Sequence, residues 1–266
     1  MDGSGLKKLW KSGKPSFGTW ITLADPAVCA ILANIGFEWV IIDGEHCPFN
    51  PETLRNMLMV LRERGVVSIV RVRVNDESLV KQVLDWGAEG IMFPFIHIAD
   101  DARRAVAACR YPPAARRGFN PRDASNYFAD IDYYLATAND RIIAILQVEH
   151  IDAVNNLDEI LAVPGVDALL IGPADLSFSL GLPRQFRHPT VQTAIHTTIR
   201  KAKAAGIPIS MFWHDTLEGY KEYLDRGLTF LALGADYEFI QSAGADVLNR
   251  MRAAVETSEV SKTSEA

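Results

Sequence analysis

Short apolar runs bounded by Gly, Pro and Asp alternate with longer amphipathic stretches from one end of the chain to the other. The runs fall at Ser16–Thr22, Trp39–Asp43, Val67–Val72 and Gly90–Pro94, then at Ile142–Glu149, Ala168–Gly172, Ile207–Phe212 and Phe230–Gly234. Most are rich in Val and Ile and apolar at consecutive positions, the pattern of parallel strands buried on both faces. Between them, Glu52–Arg64, Glu77–Trp86, Ala99–Arg110, Ile151–Val163 and Pro189–Ala205 carry helical spacing. Pro51 suits a first helical turn with Asn50 as its cap, and Pro189 suits the start of a later helix.

Eight strand-like runs separated by helical stretches predict an α/β fold, a (β/α)₈ TIM barrel. The 266 residues agree with the ~250 of that architecture. No G-x-G-x-x-G follows the first run, which counts against a dinucleotide-binding sheet. Residues 1–255 read as a single domain. The Ser-, Thr-, Glu- and Lys-rich stretch 256–266 reads as a frayed tail. Tyr111–Arg141 reads as a long loop with little helical pattern before Ala129.

Composition narrows the function classes. The chain is 48% hydrophobic and 23% charged with a net charge of −6, so it has core enough to fold and no basic face for nucleic acid. No apolar run approaches the ~18 residues of a membrane span, and the N-terminus lacks a signal-peptide core. Cys29, Cys47 and Cys109 cannot all pair and lack metal-site spacing, so thiols in a reducing cytoplasm are expected.

In such a barrel the C-terminal strand ends converge on one mouth. The second run ends in Asp43-Gly44-Glu45-His46, the third carries Arg71, the fifth ends in Gln147-Val148-Glu149, and the sixth in Gly172-Pro173-Ala174-Asp175. Neighbouring parallel strands are ~4.8 Å apart, so Glu149 and Asp175 can reach one cation, and oxygen-only ligation suits Mg²⁺ or Mn²⁺. The alternatives are a helix-starting acid for Glu149 and a helix N-cap for Asp175. His46 is a candidate base oriented by Asp43 or Glu45, set against a loop-closing histidine. Arg71 needs an anion beside it, either a substrate or a structural carboxylate. The turn Gly172–Asp175 offers free N–H groups to an anion. His97, His150, His188, His196 and His214 show no comparable grouping. No lysine closes a strand, which argues against an imine mechanism.

Together with Gly18-Thr19-Trp20, Gly36-Phe37-Glu38-Trp39, Arg110-Tyr111-Pro112-Pro113 and Arg117-Gly118, these segments make the chain resemble the HpcH/HpaI aldolase family, over roughly Leu6 to Leu248. The resemblance implies a metal-dependent pyruvate aldolase that cleaves 4-hydroxy-2-oxo acids to pyruvate and an aldehyde. It implies Glu149 and Asp175 as ligands of Mg²⁺, Mn²⁺ or Co²⁺, with no organic cofactor. His46 would act with Asp43 as the base, Arg71 would stabilise the enolate, and Gln147 and Trp20 would line the substrate pocket. Gly172, Pro173, Ala174 and Asp175 would hold the pyruvate carboxylate. A hexamer exchanging its last helix is also implied. The alternative is a related lyase acting on an acyl-CoA ester or decarboxylating oxaloacetate. Ala115, Asn120, Cys47 and the bulky Met211–Phe212–Trp213–His214 depart from the family's usual pattern and bear on the aldehyde half of the site.

Overall fold

The computed structural model describes residues 1–212 and 216–264, and side chains as far as 256. In chain order it begins with α1 (Gly3–Lys11), β1 (Ser16–Ile21), α2 (Pro26–Ile35), β2 (Trp39–Asp43), α3 (Pro51–Glu63), β3 (Val67–Arg71), α4 (Glu77–Asp85), β4 (Gly90–Phe93) and α5 (Ala99–Cys109). It continues with α6 (Ile131–Arg141), β5 (Ile143–Val148), α7 (Ile151–Asn155), α8 (Leu157–Leu161), β6 (Ala168–Ile171), α9 (Pro173–Ser179) and α10 (Pro189–Ala204). The last elements are β7 (Ile209–Met211), α11 (Leu217–Asp225), β8 (Phe230–Ala235) and α12 (Asp236–Ser264).

All eight strands are parallel, in the order β7-β6-β5-β4-β3-β2-β1-β8. Two bonds draw the open edges β7 and β8 together: the Thr229 N–H donates to the Ile209 carbonyl at 3.1 Å, and the Ser210 hydroxyl donates to the Phe230 carbonyl. The sheet is a nearly closed TIM-type barrel.

Alternate strand residues separate two cores. Trp39, Ile41, Val67, Ile69, Met92, Ile143, Ile145 and Leu170 fill the interior, whereas Val40, Ile42, Val70, Ile91 and Leu146 pack outward against the helices. That double burial explains the continuous apolar runs. α1 plugs the N-terminal end. Trp10 stacks on Phe230 at 4.2 Å, and the Trp10 and Trp39 indoles both donate to the Ser16 hydroxyl, at 2.8 and 2.9 Å. The opposite end is left for chemistry.

Several helix boundaries follow the sequence signals. Asn50 caps α3, its side chain accepting the Thr53 N–H at 2.8 Å, and Pro51 and Pro189 open α3 and α10. The single helix expected over Ile151–Val163 is divided into α7 and α8 at Asn156, whose side chain donates instead to the His97 carbonyl at 3.0 Å. The long loop after α5 gives way to α6 at Ile131. Its Arg117 is fully buried, stacked over Tyr111 at 4.3 Å and paired with Asp85 at 2.8 Å. The tail expected over 256–266 falls mainly where side chains lie outside the described residues, as do Trp213 and His214.

Candidate active site

The mouth is organised around Arg71, the last residue of β3, which pairs in register with Asp43 at the end of β2. Its Nε donates to Asp43 Oδ1 at 3.0 Å, its Nη2 lies 2.8 Å from Asp43 Oδ2, and its Nη1 lies 3.2 Å from Glu45 Oε2. The guanidinium sits 4.6 Å from the centre of the Trp20 ring at the end of β1, so a cation–π contact fixes its plane. Of these contacts the Nε–Oδ1 one is a hydrogen bond and the other two are ion pairs, so guanidinium N–H groups are left for a ligand oxygen. The ion-pair alternative for Arg71 is therefore present without exhausting the residue.

Asp43 Oδ1 also accepts the N–H groups of Glu45 and His46, at 3.2 and 3.3 Å, which curls the loop over the strand end. Gly44 is required there, because a Cβ would lie 2.7 Å from the Arg71 carbonyl. Burial works to raise the Asp43 carboxyl, but hydrogen bonding and charge from Arg71 outweigh it and hold the group below its usual range. Asp43 contacts His46 through the backbone N–H. The imidazole partner is Glu45, whose Oε2 lies 3.7 Å from His46 Nε2. The His46 side chain is 65% exposed, as suits a base that must reach a substrate proton.

Glu149 follows β5 and turns inward. Its Oε1 accepts the Phe95 N–H at 2.9 Å and its Oε2 accepts from the Gln147 amide. The helix-starting alternative is not realised, since α7 is capped by His150. Asp175 is likewise not the cap of α9; Gly172 is, and it supplies no side-chain bond. A Cβ at Gly172 would meet Glu149 Cβ at 3.0 Å and Gln147 Nε2 at 3.1 Å, so the turn approaches Glu149 as only glycine permits. Burial pushes the Glu149 carboxyl up to about 7; the Phe95 N–H opposes this, and the charges of Asp175 and Glu45 add to it. Glu45 is raised for the same first reason, burial, with Asp43 and Asp175 adding and Arg71 opposing.

These are the electrostatics of a site short of positive charge. Glu149, Asp175 and Glu45 repel one another, while the Gln147 carbonyl oxygen and the Trp20 indole N–H are buried with no hydrogen-bond partner among the described residues. The hard carboxylate pair Glu149 and Asp175 fits a divalent cation with remaining positions open, and the unpartnered polar atoms fit an oxygen-rich ligand beside it.

Two contributors lie outside the residues singled out by the strand-end reading. Phe95 acts through its backbone N–H, in a left-handed conformation with φ 56°. Asp236, just past the eighth run, accepts from the Thr22 N–H and hydroxyl and from the Leu23 N–H, at 2.9, 2.6 and 2.8 Å, tying the β1 loop to the start of α12. An aspartate at a strand end was the available signal for it. Lys7 lies at the barrel's opposite end, 3.2 Å from Asp167.

A parallel barrel with carboxylates, a histidine and an arginine gathered at its C-terminal mouth defines the class: a (β/α)₈ enzyme. The chain belongs to the HpcH/HpaI aldolase/citrate lyase family, whose model matches residues 16–243. It is 39% identical over 245 residues to a 4-hydroxy-2-oxo-heptane-1,7-dioate aldolase of Salmonella heidelberg (strain SL476), covering 91% of this chain and 92% of that one. The crystal structure of a family member from Burkholderia cenocepacia J2315 superposes with a TM-score of 0.88 at 33% identity, covering 94% of this chain and 99% of the other. An HpcH/HpaI aldolase from Desulfitobacterium hafniense DCB-2 gives 0.86 at 31%, covering 93% and 96%. Among the described residues no helix is long and apolar enough to cross a membrane.

Proposed function

We propose that the protein is a divalent-metal-dependent pyruvate aldolase that reversibly cleaves 4-hydroxy-2-oxo acids to pyruvate and an aldehyde. The observation that carries this reading is the convergence of Arg71, Gln147, Glu149 and Asp175 on one mouth, in a chain that aligns over 91% of its length with a 4-hydroxy-2-oxo-heptane-1,7-dioate aldolase.

Glu149 and Asp175 would hold the cation: Mg²⁺, Mn²⁺ or Co²⁺. When bound, such an ion supplies Lewis-acid polarisation of the substrate carbonyl. The protein's own residues supply the rest. The Gly172 N–H is spent on the Val148 carbonyl at 3.1 Å and Pro173 has none, so Ala174 and Asp175, in the first turn of α9, would receive the C1 carboxylate on their backbone N–H groups, and Gln147 would border the C2 oxygen. His46 takes the C4 hydroxyl proton, with Glu45 beside the resulting imidazolium and Asp43 holding the loop. The C3–C4 bond breaks and its electron pair passes into the pyruvate enolate as the aldehyde leaves. The Arg71 N–H groups not bonded to Asp43 would donate to the enolate oxygen, a preorganised donor for charge that develops only during reaction. Trp20 keeps that donor flat. Protonation at C3 completes pyruvate.

Assembly enters the proposal through α12. Ile240, Val247, Leu248 and Met251 are each about half exposed or more and lie within one stripe of the helix. A stripe of that kind supports burial against copies of the chain, the hexamer implied by the resemblance. Three free thiols agree with a cytoplasmic setting.

The test is direct. With Mg²⁺ or Mn²⁺, 4-hydroxy-2-oxo-heptane-1,7-dioate should yield pyruvate and the matching aldehyde in equal amounts, and chelation should abolish the reaction. Turnover of an acyl-CoA ester or of oxaloacetate in place of this substrate would select the alternative lyase.

A further inference from the structure

His97 and His150 are 53 positions apart, and their sequence surroundings give no sign of a grouping. Adjacent strands bring them together. His97 lies in the loop after β4 and His150 immediately after Glu149 at the end of β5, and the two imidazoles stack with centroids 4.7 Å apart and planes inclined by 22°. Asp152 completes the group, its Oδ2 3.2 Å from His150 Nδ1. One ligand atom from each of the three residues lies within 4.8 Å of the other two.

We infer that His97, His150 and Asp152 form a second cation site on the rim of the barrel, selective for a borderline-soft transition ion of the Zn²⁺ or Co²⁺ class. Two imidazole nitrogens and one carboxylate oxygen suit such an ion, whereas the all-oxygen pair Glu149 and Asp175 suits a hard one. Metal–ligand bonds of ~2.0–2.2 Å place neighbouring ligand atoms roughly 3.4 Å apart in a tetrahedral site. The His150–Asp152 separation of 3.2 Å already meets that spacing. His97, whose ligand atom lies within 4.8 Å of the other two, would close toward them on loading, and water would fill the open position.

The supporting contacts favour this reading over stacking alone. Among the described residues the His97 imidazole makes no hydrogen bond, while its backbone is pinned on both sides: its N–H donates to Asp101 Oδ2 at 2.9 Å and its carbonyl accepts from Asn156 at 3.0 Å. The backbone is fixed and the ring nitrogens are left to a ligand. His150 Nδ1 accepts the Asp152 N–H at 3.2 Å, so its lone pair is already directed toward Asp152. Loading exchanges that capping bond for a bond to the ion. A bound ion would clamp the β4 loop to the start of α7, the two segments that bring the Phe95 N–H to Glu149.

The rim ligands are different residues from the proposed catalytic pair, although His150 follows Glu149 directly, and metal counting separates the two sites. Metal-stripped protein is titrated with Co²⁺ alone and read by visible ligand-field absorption and by bound equivalents. Wild type should take up a second equivalent with a nitrogen-ligated spectrum. Glu149→Gln should retain that equivalent and its spectrum while losing the other. His97→Ala should lose it, with apparent affinity down by more than the ~10–100-fold typical of removing an outer partner of a ligand. His150→Asn removes the imidazole yet keeps a capping side chain for α7, and it too should lose the equivalent with its helical circular dichroism unchanged. In the Glu149→Gln background Co²⁺ should raise the thermal midpoint, and adding His97→Ala should cancel that rise. A wild-type titration that saturates at one equivalent abolished by Glu149→Gln, or His97→Ala and His150→Asn isotherms that superimpose on wild type, would overturn the site.

Discussion

Replacing Glu149 by Gln removes one charge at the centre of the site and tests the electrostatics on which the metal assignment rests. Burial carries this carboxyl from 4.5 to about 7, so in metal-free protein near neutral pH and above the folded state holds a carboxylate it disfavours. At ~1.36 kcal/mol for each tenfold change in proton affinity, that penalty is on the order of 3 kcal/mol. The sign follows from linkage. A carboxyl raised on folding contributes its full stability below the unfolded value, near 4.5, and loses it as pH rises through about 7. Glu149→Gln escapes the loss. The new amide can still accept the Phe95 N–H, and Gln147, whose carbonyl oxygen has no partner, can turn to accept from it. Metal-free Glu149→Gln should therefore unfold with a stability ~1–3 kcal/mol above wild type at pH 8, and with nearly equal stability at pH 4, below the unfolded value. Added Mg²⁺ or Mn²⁺ should stabilise wild type and leave the variant unmoved, while cleavage is lost. Urea denaturation of both proteins across this pH range, with and without cation, measures all of it. A variant less stable than wild type at pH 8, or a difference that ignores pH, would refute the reasoning.

Asp43 has the opposite sign: held below its usual range by Arg71, it stabilises the fold above the ordinary carboxylate pKa of ~3.9 and loses that contribution as pH falls through its folded value. Asp43→Asn should flatten this acid limb in a pH series of denaturation curves, and an unchanged limb would place the dependence elsewhere. The α12 stripe predicts that Val247→Glu with Met251→Glu yields a smaller species in sedimentation experiments at equal concentration, without loss of helical signal; an unchanged sedimentation coefficient would exclude that face from assembly.

The strands were the most legible elements because burial on two faces leaves an unbroken apolar run, as at Trp39–Asp43, where the expected and observed bounds coincide. The short β7 is the weakest case. Its expected run, Ile207–Phe212, is trimmed to Ile209–Met211, where pairing with β6 holds it. Helix α2 is not legible in the sequence because Pro26–Ile35 is apolar nearly all round, with little periodicity to separate it from a buried strand. Charged residues at strand ends marked Asp43, Arg71 and Glu149, since a polar residue closing an apolar run has few other reasons to be there. Phe95 could not be read this way, because its contribution is a backbone N–H. The pairing of His46 with Glu45 was only half legible: both acids near His46 were candidates, both also face Arg71, and only the backbone course after β2, which turns the His46 N–H and not its ring toward Asp43, separates them.

Enolate formation at Arg71 is the central claim, and exchange of the pyruvate methyl protons in D₂O tests it without any aldehyde. With a divalent cation present, wild type should replace those protons by deuterium, followed as loss of the methyl signal by proton NMR. Arg71→Ala should slow exchange by on the order of 10²–10³, the cost of removing one preorganised donor to a developing oxyanion. Pyruvate affinity should change far less, and Arg71→Lys should recover only part of the rate because an ammonium lacks the planar fork. Wild-type exchange in a folded Arg71→Ala protein would make Arg71 a structural partner of Asp43 and Glu45 and contradict the account.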